Sequence, residues 1–313
     1  MEVRIRPLKR RDLAEADRIF RVAFGTFMGV PDPTATFGDR DLTRTRYEAA
    51  PDLALAAEAD GALVGSNFAT NWGSFGFFGP LTVEPKLWDQ RIAQRLLERT
   101  MDLFAASGCR LTGLFTFSDS PKHAGLYQKF DYWPRFLTPV MARELSPTGA
   151  SADYIRLSKL DADEKQSVLA ACRELTDALY DGLDVSRETR AVESQRLGDT
   201  LALLDGSKVS AFAVCHVGAG TEAGSGCCYV KFGAVRPDAA AAETFERLLR
   251  ACQAFAAEQG ASRLEAGVNM SHHEAYRAML GHCFRVVQTG VAMHQRNDPG
   301  FSRPGLYVLN DWR

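Results

Sequence analysis

The stretch that decides the fold is FGFFGPLTVEP, residues 75–85, an apolar strand that ends in Val-Glu-Pro and leads into a helical pattern. Residues 228–256 repeat this order, with Val-Arg-Pro at the corresponding place. The proline and a following Leu-Leu pair have the same spacing in both copies: Pro85 with Leu96, and Pro237 with Leu248. A strand that passes through a tight turn into a helix presents free backbone N–H groups, which together with the helix dipole favour an anion. The repeat therefore predicts two similar domains and a ligand that carries phosphate.

The composition is that of an ordinary globular protein, with 313 residues, 46% of them hydrophobic, and a formal net charge of −2. This balance, and the lack of a basic stripe interleaved with aromatic residues, argue against a nucleic-acid partner. No apolar run approaches the roughly 20 residues that a membrane helix requires, and residues 1–7 are too charged for a signal peptide. Seven cysteines at irregular spacing favour reduced thiols and a cytoplasmic protein.

Both halves share one order of elements, in which a strand and a helix precede a hairpin with an Asp-Gly turn, at residues 60–61 and again at 205–206. The first helix is predicted to end near Phe24, which leaves residues 24–33 as an apolar loop that either covers a ligand or packs on the other domain. In the second half, Asp161 and Glu164 predict a capping box at the start of the corresponding helix.

These patterns place the first domain at residues 1–145, a linker at 146–151 and the second domain at 152–313. The linker sequence Ser-Pro-Thr-Gly-Ala-Ser is typical of a loop. The tail, residues 297–313, has no counterpart in the first half. Its Tyr-Val-Leu at residues 307–309 could add a strand or pack across the domain interface.

Within this duplicated order, the residues resemble the GCN5-related N-acetyltransferase (GNAT) family, once in each half. The resemblance implies an α/β (α+β) fold in which each domain has a mixed, mostly antiparallel sheet flanked by helices. The family's cofactor turn, Q/R-x-x-G-x-G/A, follows V-x-P directly. Residues 88–93 stand in that register; Ala93 fits the small position, and Arg91 replaces a glycine. In the second half, Glu243 would place negative charge beside the phosphate and Phe245 would fill the space, so we expect coenzyme A to bind only the first half.

The same resemblance implies acetyl-CoA as the co-substrate, with its pantetheine arm on the strand before the turn and its pyrophosphate at the helix N-terminus. It assigns cofactor contacts to Leu81, Thr82, Val83, Arg91, Ile92, Ala93, Gln94 and Ser120. Ser120 stands where the family often has asparagine.

Acetyl transfer to an amine requires a base for the amine proton and an acid for the leaving thiolate. The resemblance suggests Tyr127 as the acid. The candidates for the base are Glu84, Asp119 and His123. Glu84 follows the strand beside the expected thioester, and the sequence does not decide among the three. A metal is not expected, because the histidines and Cys283 near residues 272–283 lack the spacing of metal ligands.

The favoured function is thus an N-acetyltransferase that moves an acetyl group from acetyl-CoA directly to a small-molecule amine. Two alternatives stay open at this point. One is a catalytically silent acyl-CoA-binding or scaffold protein, and the other is a two-site enzyme similar to mycothiol synthase. The sequence does not identify the acceptor amine or its pathway, and it leaves a homo-oligomer open.

Overall fold

The computed structural model describes residues 2–146, 152–206 and 208–313. The predicted linker at 146–151 lies almost wholly outside the described residues. No helix in the described part of the chain is long and apolar enough to cross a membrane.

The first half contains strands β1 to β6 and helices α1 to α4. The strands are β1 Val3–Pro7, β2 Ala54–Ala59, β3 Ala62–Trp72, β4 Phe75–Val83, β5 Leu111–Phe117 and β6 Tyr132–Glu144. The helices are α1 Leu13–Met28, α2 Leu42–Ala49, α3 Ile92–Ala106 and α4 Pro121–Gln128. Helix α1 continues four residues beyond its predicted end at Phe24, and on this added turn Phe27 contacts Phe117 of β5, with ring centroids 4.7 Å apart.

The second half repeats this order and adds a short last strand. Its strands are β7 Ile155–Arg156, β8 Gly198–Asp205, β9 Lys208–Gly218, β10 Gly224–Val235, β11 Arg263–Gly267, β12 Arg285–Gln295 and β13 Val308–Leu309. Its helices are α5 Ala162–Leu179, α6 Ser186–Gln195, α7 Ala241–Glu258 and α8 His273–Gly281. The predicted capping box is confirmed, since Asp161 accepts from the Glu164 N–H and Glu164 accepts from the Asp161 N–H. Both predicted Asp-Gly hairpins are confirmed as β2–β3 and β8–β9.

The two halves share one continuous sheet with the order β1-β2-β3-β4-β5-β12-β6-β11-β10-β9-β8-β7. Most neighbouring strands are antiparallel, and the parallel pairs are β4 with β5 and β10 with β11. Strand β12 comes from the second half of the chain but pairs with β5, whereas β6 comes from the first half and pairs with β11. The halves are therefore joined by strand pairing as well as by side-chain packing.

An apolar cluster between the halves combines Trp72, Phe75 and Phe77 of the first half with Phe232 of β10 and Trp312 of the tail. Both possibilities for the tail are realised, since β13 pairs with β10 and Trp312 packs against Phe75 with ring centroids 4.9 Å apart.

Candidate functional site

A cleft opens in the first half where β4 and β5 separate. The two strands pair in parallel only from Phe75 with Leu111 to Phe78 with Leu114. Beyond this point β4 continues along β3, with a register shift between the Asn67 and Ala69 pairs that places an extra residue in β4. The irregularity coincides with Pro80, where the sequence predicts a bulge or an edge. The edge of β4 beyond Phe78 that faces β5 has no strand partner among the described residues.

The cleft continues as a cavity of about 570 Å³. Its walls come from α1, from the separated parts of β4 and β5, from the start of α3, from α4 and from the tail. The first-half lining includes Phe20, Phe24, Phe27, Phe37, Arg40, Leu81, Thr82, Val83, Arg91, Ile92, Ala93, Gln94, Phe115, Phe117, His123 and Tyr127, and the second half contributes Glu222, Gln288, Trp312 and Arg313. The fold thus brings eight of the ten residues predicted for the site to one cavity.

One end of the cavity is formed by the N-terminus of α3. Arg91 precedes the helix in a left-handed conformation, φ 62° and ψ 14°, and no side chain caps the helix there. The N–H groups of Ile92, Ala93 and Gln94 lie in the first turn, where helix geometry provides no carbonyl partner. Arg91 therefore makes the turn that glycine usually makes, at a cost of about 1–2 kcal/mol in backbone strain. It adds a guanidinium group that has no carboxylate partner in the described part of the chain.

Tyr127 lies on α4 and lines the cavity, with its ring 5.8 Å from that of Phe78. Burial raises the pKa of the Tyr127 hydroxyl well above its usual value, although a hydrogen bond with Thr116 partly offsets this effect. The hydroxyl is therefore protonated at neutral pH and available as a proton donor.

His123 lies one turn earlier on α4 and also lines the cavity. Burial, followed by the Lys122 charge, lowers the pKa of His123, so the imidazole is neutral at pH 7. Its Nδ1 lies 2.6 Å from the Ser120 hydroxyl. Ser120 itself is buried behind the histidine and is absent from the lining, because its side chain caps α4 through the His123 N–H. Ser120, predicted as a cofactor contact, is thus placed to orient His123 instead.

Glu84 does not fit the role of base. Its carboxylate lies outside the cavity lining and accepts a hydrogen bond from Arg18 at 2.6 Å, because the chain turns away from the cleft after Val83. Asp119 also lies outside the lining. Among the three candidates for the base, His123 is the one that the cavity exposes to a substrate.

The cavity also meets a buried ion cluster between the halves, because Glu222 is part of its lining. Arg46 of α2 binds the Glu222 carboxylate, with Nη2 3.0 Å from Oε2, and donates to the Gly79 carbonyl at 2.5 Å. Lys231 forms a second ion pair with Glu222. Burial alone would raise the pKa of Glu222, but the Arg46 and Lys231 charges outweigh it and hold that pKa well below its usual value. Glu222 therefore stays ionised and is a poor base.

Sequence reasoning missed the residues that the second half contributes to this cavity. Trp312 and Arg313 line the cavity because β13 anchors the tail on β10. The sequence signal for that pairing was the apolar Tyr-Val-Leu at 307–309, which indicated a possible strand. The aromatic residues of α1 carried a signal in their helical spacing, since Phe20, Phe24 and Phe27 recur at intervals of three or four residues.

Known proteins share both the sequence of this region and the fold. Residues 18–132 match the model of the acetyltransferase (GNAT) family. This match lies wholly within the first half of the chain. Acetyltransferases of Yersinia enterocolitica and Pectobacterium atrosepticum are 33% and 34% identical to this chain over 82 residues, which is 26% of this chain. The chain spans 58% of the length of each of these relatives.

Solved structures extend the likeness to the whole chain. A putative acetyltransferase from Pyrococcus horikoshii has a TM-score of 0.70, with 14% identity, over 99% of this chain and 95% of its own. A tandem GNAT protein from the clavulanic acid biosynthesis pathway has a TM-score of 0.57, with 12% identity, over 96% of this chain and 100% of its own. At these identities the likeness concerns the fold alone, and it confirms the predicted fold class and the tandem GNAT arrangement.

The second GNAT-like half lacks the open cleft of the first. Strands β10 and β11 pair from Cys227 to Val230 and then separate, but β13 occupies the gap and pairs with β10. The Val235 N–H donates to the Tyr307 carbonyl at 3.1 Å. Phe245, which corresponds to Ala93, is fully buried with its ring 5.2 Å from that of Tyr307. The tail and this phenylalanine fill the space that would receive a cofactor.

Proposed function

We propose that the GNAT domain in the first half transfers an acetyl group from acetyl-CoA directly to the amine of a small molecule. The observation that carries the proposal is the uncapped start of α3, which opens into the cavity beside Ala93 and lies at one end of the cleft between β4 and β5. The match of residues 18–132 to an acetyltransferase family supports the same reaction.

The cofactor would span this cleft. The N–H groups of Ile92, Ala93 and Gln94 would bind the pyrophosphate, because they combine free donors with the positive end of the helix dipole. The unpaired edge of β4 at Leu81, Thr82 and Val83 would hold the pantetheine arm by backbone hydrogen bonds, as an added strand would be held.

The reaction then forms a bond from nitrogen to the acetyl carbon and breaks the bond from that carbon to sulfur. The amine loses one proton and the departing thiolate gains one. When Nδ1–H of His123 donates to Ser120, Nε2 has a free lone pair that accepts the amine proton. Tyr127 supplies the proton to the thiolate, since its hydroxyl stays protonated in the buried wall of the cavity.

Calorimetric titration and thiol release test this proposal. We expect one molecule of acetyl-CoA to bind per chain with micromolar affinity, and acetyl-CoA-dependent thiol release with at least one member of a library of small amines. Binding without release by any amine would favour a silent acyl-CoA-binding protein. That alternative arose from the missing glycine, yet Arg91 adopts the left-handed turn without it.

A two-site enzyme predicts two acetyl-CoA molecules per chain. The filled groove beside β13 argues against a second site, and a stoichiometry of two would contradict our assignment of activity to the first half.

A further inference from the structure

We propose that the acceptor amine carries an anionic group on a bulky apolar body, and that Arg40 and Arg313 select this anion. The inference rests on the proposed acetyl transfer and concerns the same cavity, which residues from both halves of the chain line.

The two arginines come together on one buried carboxylate. Arg40 Nη2 lies 3.1 Å from both oxygens of Glu265, and Arg313 Nη2 lies 3.0 Å from Oε2. Arg313 also lies over the Tyr229 ring, with its guanidinium carbon 4.0 Å from the centroid. Both residues also line the cavity.

The ion pairs around this carboxylate do not use every donor of the two arginines. Asp311 is a second buried carboxylate, 3.4 Å from Arg313 Nε, and Arg263, at 3.1 Å from Glu265, also lies 3.8 Å from the exposed Glu144. Three guanidinium groups thus face three carboxylates, and the formal charges balance. Arg40 donates to Glu265 through Nη2 alone, and its Nε and Nη1 make no hydrogen bond within the described residues.

The adjacent ion cluster does not change this balance. In it, Arg46 and Lys231 face Glu222 and Glu188, so two positive charges meet two negative charges. The free donors of Arg40, with Arg313 beside them on the same carboxylate, therefore favour an anionic group on the acceptor. A guanidinium group binds carboxylate or phosphate oxygens in a defined geometry, and it does so more strongly out of water.

Much of the cavity lining is apolar and aromatic. Phe24, Phe37, Phe115 and Trp312 line the cavity together with Leu42. Such walls stabilise a bulky hydrocarbon or aromatic body by removing it from water. Amino-acid-like amines with large apolar side chains combine the two features, and phenylalanine is the probe we choose.

Product analogues test the pocket without requiring turnover. N-acetylphenylalanine and N-acetylphenylalaninamide differ in the carboxylate, and their affinities are measured by calorimetry on the full chain with coenzyme A present. We expect the acid to bind about tenfold tighter or more, the effect of one charge-assisted hydrogen bond. In the Arg313→Met variant, the affinities for the acid and the amide should differ by no more than about twofold.

Arg263→Met is the matched control, because it removes an arginine from the same carboxylate but lies outside the cavity lining. It should keep the preference for the acid while losing stability to a similar degree. The inference is overturned if the wild type binds the two compounds equally, if it binds neither, or if both variants lose the preference alike.

Thiol release with phenylalanine and phenylalaninamide separates this inference from the proposed function. Turnover of amines without preference for the carboxylate keeps acetyl transfer and overturns the anion pocket. If the protein binds the acid more tightly than the amide but turns over no amine, the inference of an anion pocket stands and the proposed acetyl transfer is contradicted.

Discussion

Substituting Ala93 with phenylalanine should abolish cofactor binding, because it copies into the first half the residue that stands at the same place in the second. Ala93 is the second residue of α3, is partly exposed and lines the cavity. A phenyl ring there would occupy the space in front of the free N–H groups of Ile92 and Gln94. Two hydrogen bonds to a charged phosphate would be lost, each with a net value of about 1.5–3 kcal/mol.

The sum, about 4 kcal/mol, corresponds to a roughly thousandfold larger dissociation constant for acetyl-CoA. The fold should survive, since a partly exposed side chain in a first helical turn changes the free energy of unfolding by about 1 kcal/mol or less. Calorimetric titration of acetyl-CoA into Ala93→Phe, with urea unfolding of the same sample, measures both quantities. An affinity within about threefold of wild type in a folded variant would refute the phosphate assignment.

The reciprocal change, Phe245→Ala, is the control for this prediction. Phe245 is fully buried, so its truncation should lower the free energy of unfolding by about 3–5 kcal/mol. It should leave one acetyl-CoA bound per chain, because Tyr307 and β13 still fill the groove.

Three further predictions concern the catalytic pair, the strained turn and the response to acid. Tyr127→Phe and His123→Ala should each lower kcat by about 100-fold or more while the calorimetric affinity for acetyl-CoA changes little, and full activity in either variant would remove that residue from the mechanism. Arg91→Gly should relieve about 1 kcal/mol of backbone strain yet weaken acetyl-CoA binding several-fold, because a cation leaves the phosphate end; tighter binding would show that strain outweighs charge. Burial lowers the pKa of His272 and of His294 to about 4. Because both histidines bind protons more readily in the unfolded chain, the free energy of unfolding falls as the pH drops from 6.5 towards 4. Between pH 7 and pH 5, the free energy of unfolding measured with urea should fall by about 2 kcal/mol for each histidine. A free energy of unfolding that does not change over this range would contradict the burial of both histidines in their neutral form.

Local patterns in the sequence predicted the parts of the fold that depend on local chemistry. The two V-x-P junctions, the Asp-Gly hairpins and the capping box of α5 each arise from residues close together in the chain. Residues Arg91 to Gln94 also follow one another and all line the cavity, and their contact with a phosphate stays a prediction.

The parts that failed depend on partners distant in sequence. The pairing of β12 with β5 and of β6 with β11 joins strands whose patterns fit several neighbours equally well. The sequence could not choose among the candidates for the base, because only the path of the chain after Val83 reveals that Glu84 meets Arg18 and lies outside the cavity lining. Ser120 was assigned to the cofactor from its position alone, whereas its hydroxyl turns inward to cap α4 and contact His123.

The loss of one groove and the completion of the other have a single structural cause. Strand β13 supplies β10 with the edge hydrogen bonds that the open β4 retains for a ligand. Once the tail is anchored there, the residues that follow are directed across the interface, where Trp312 packs against Phe75 and Arg313 reaches the cavity of the first half. A second half that still bound a cofactor in this groove could not hold the tail in this position. The duplication therefore provides one open cleft, in the first half, and residues of the second copy that help to line it.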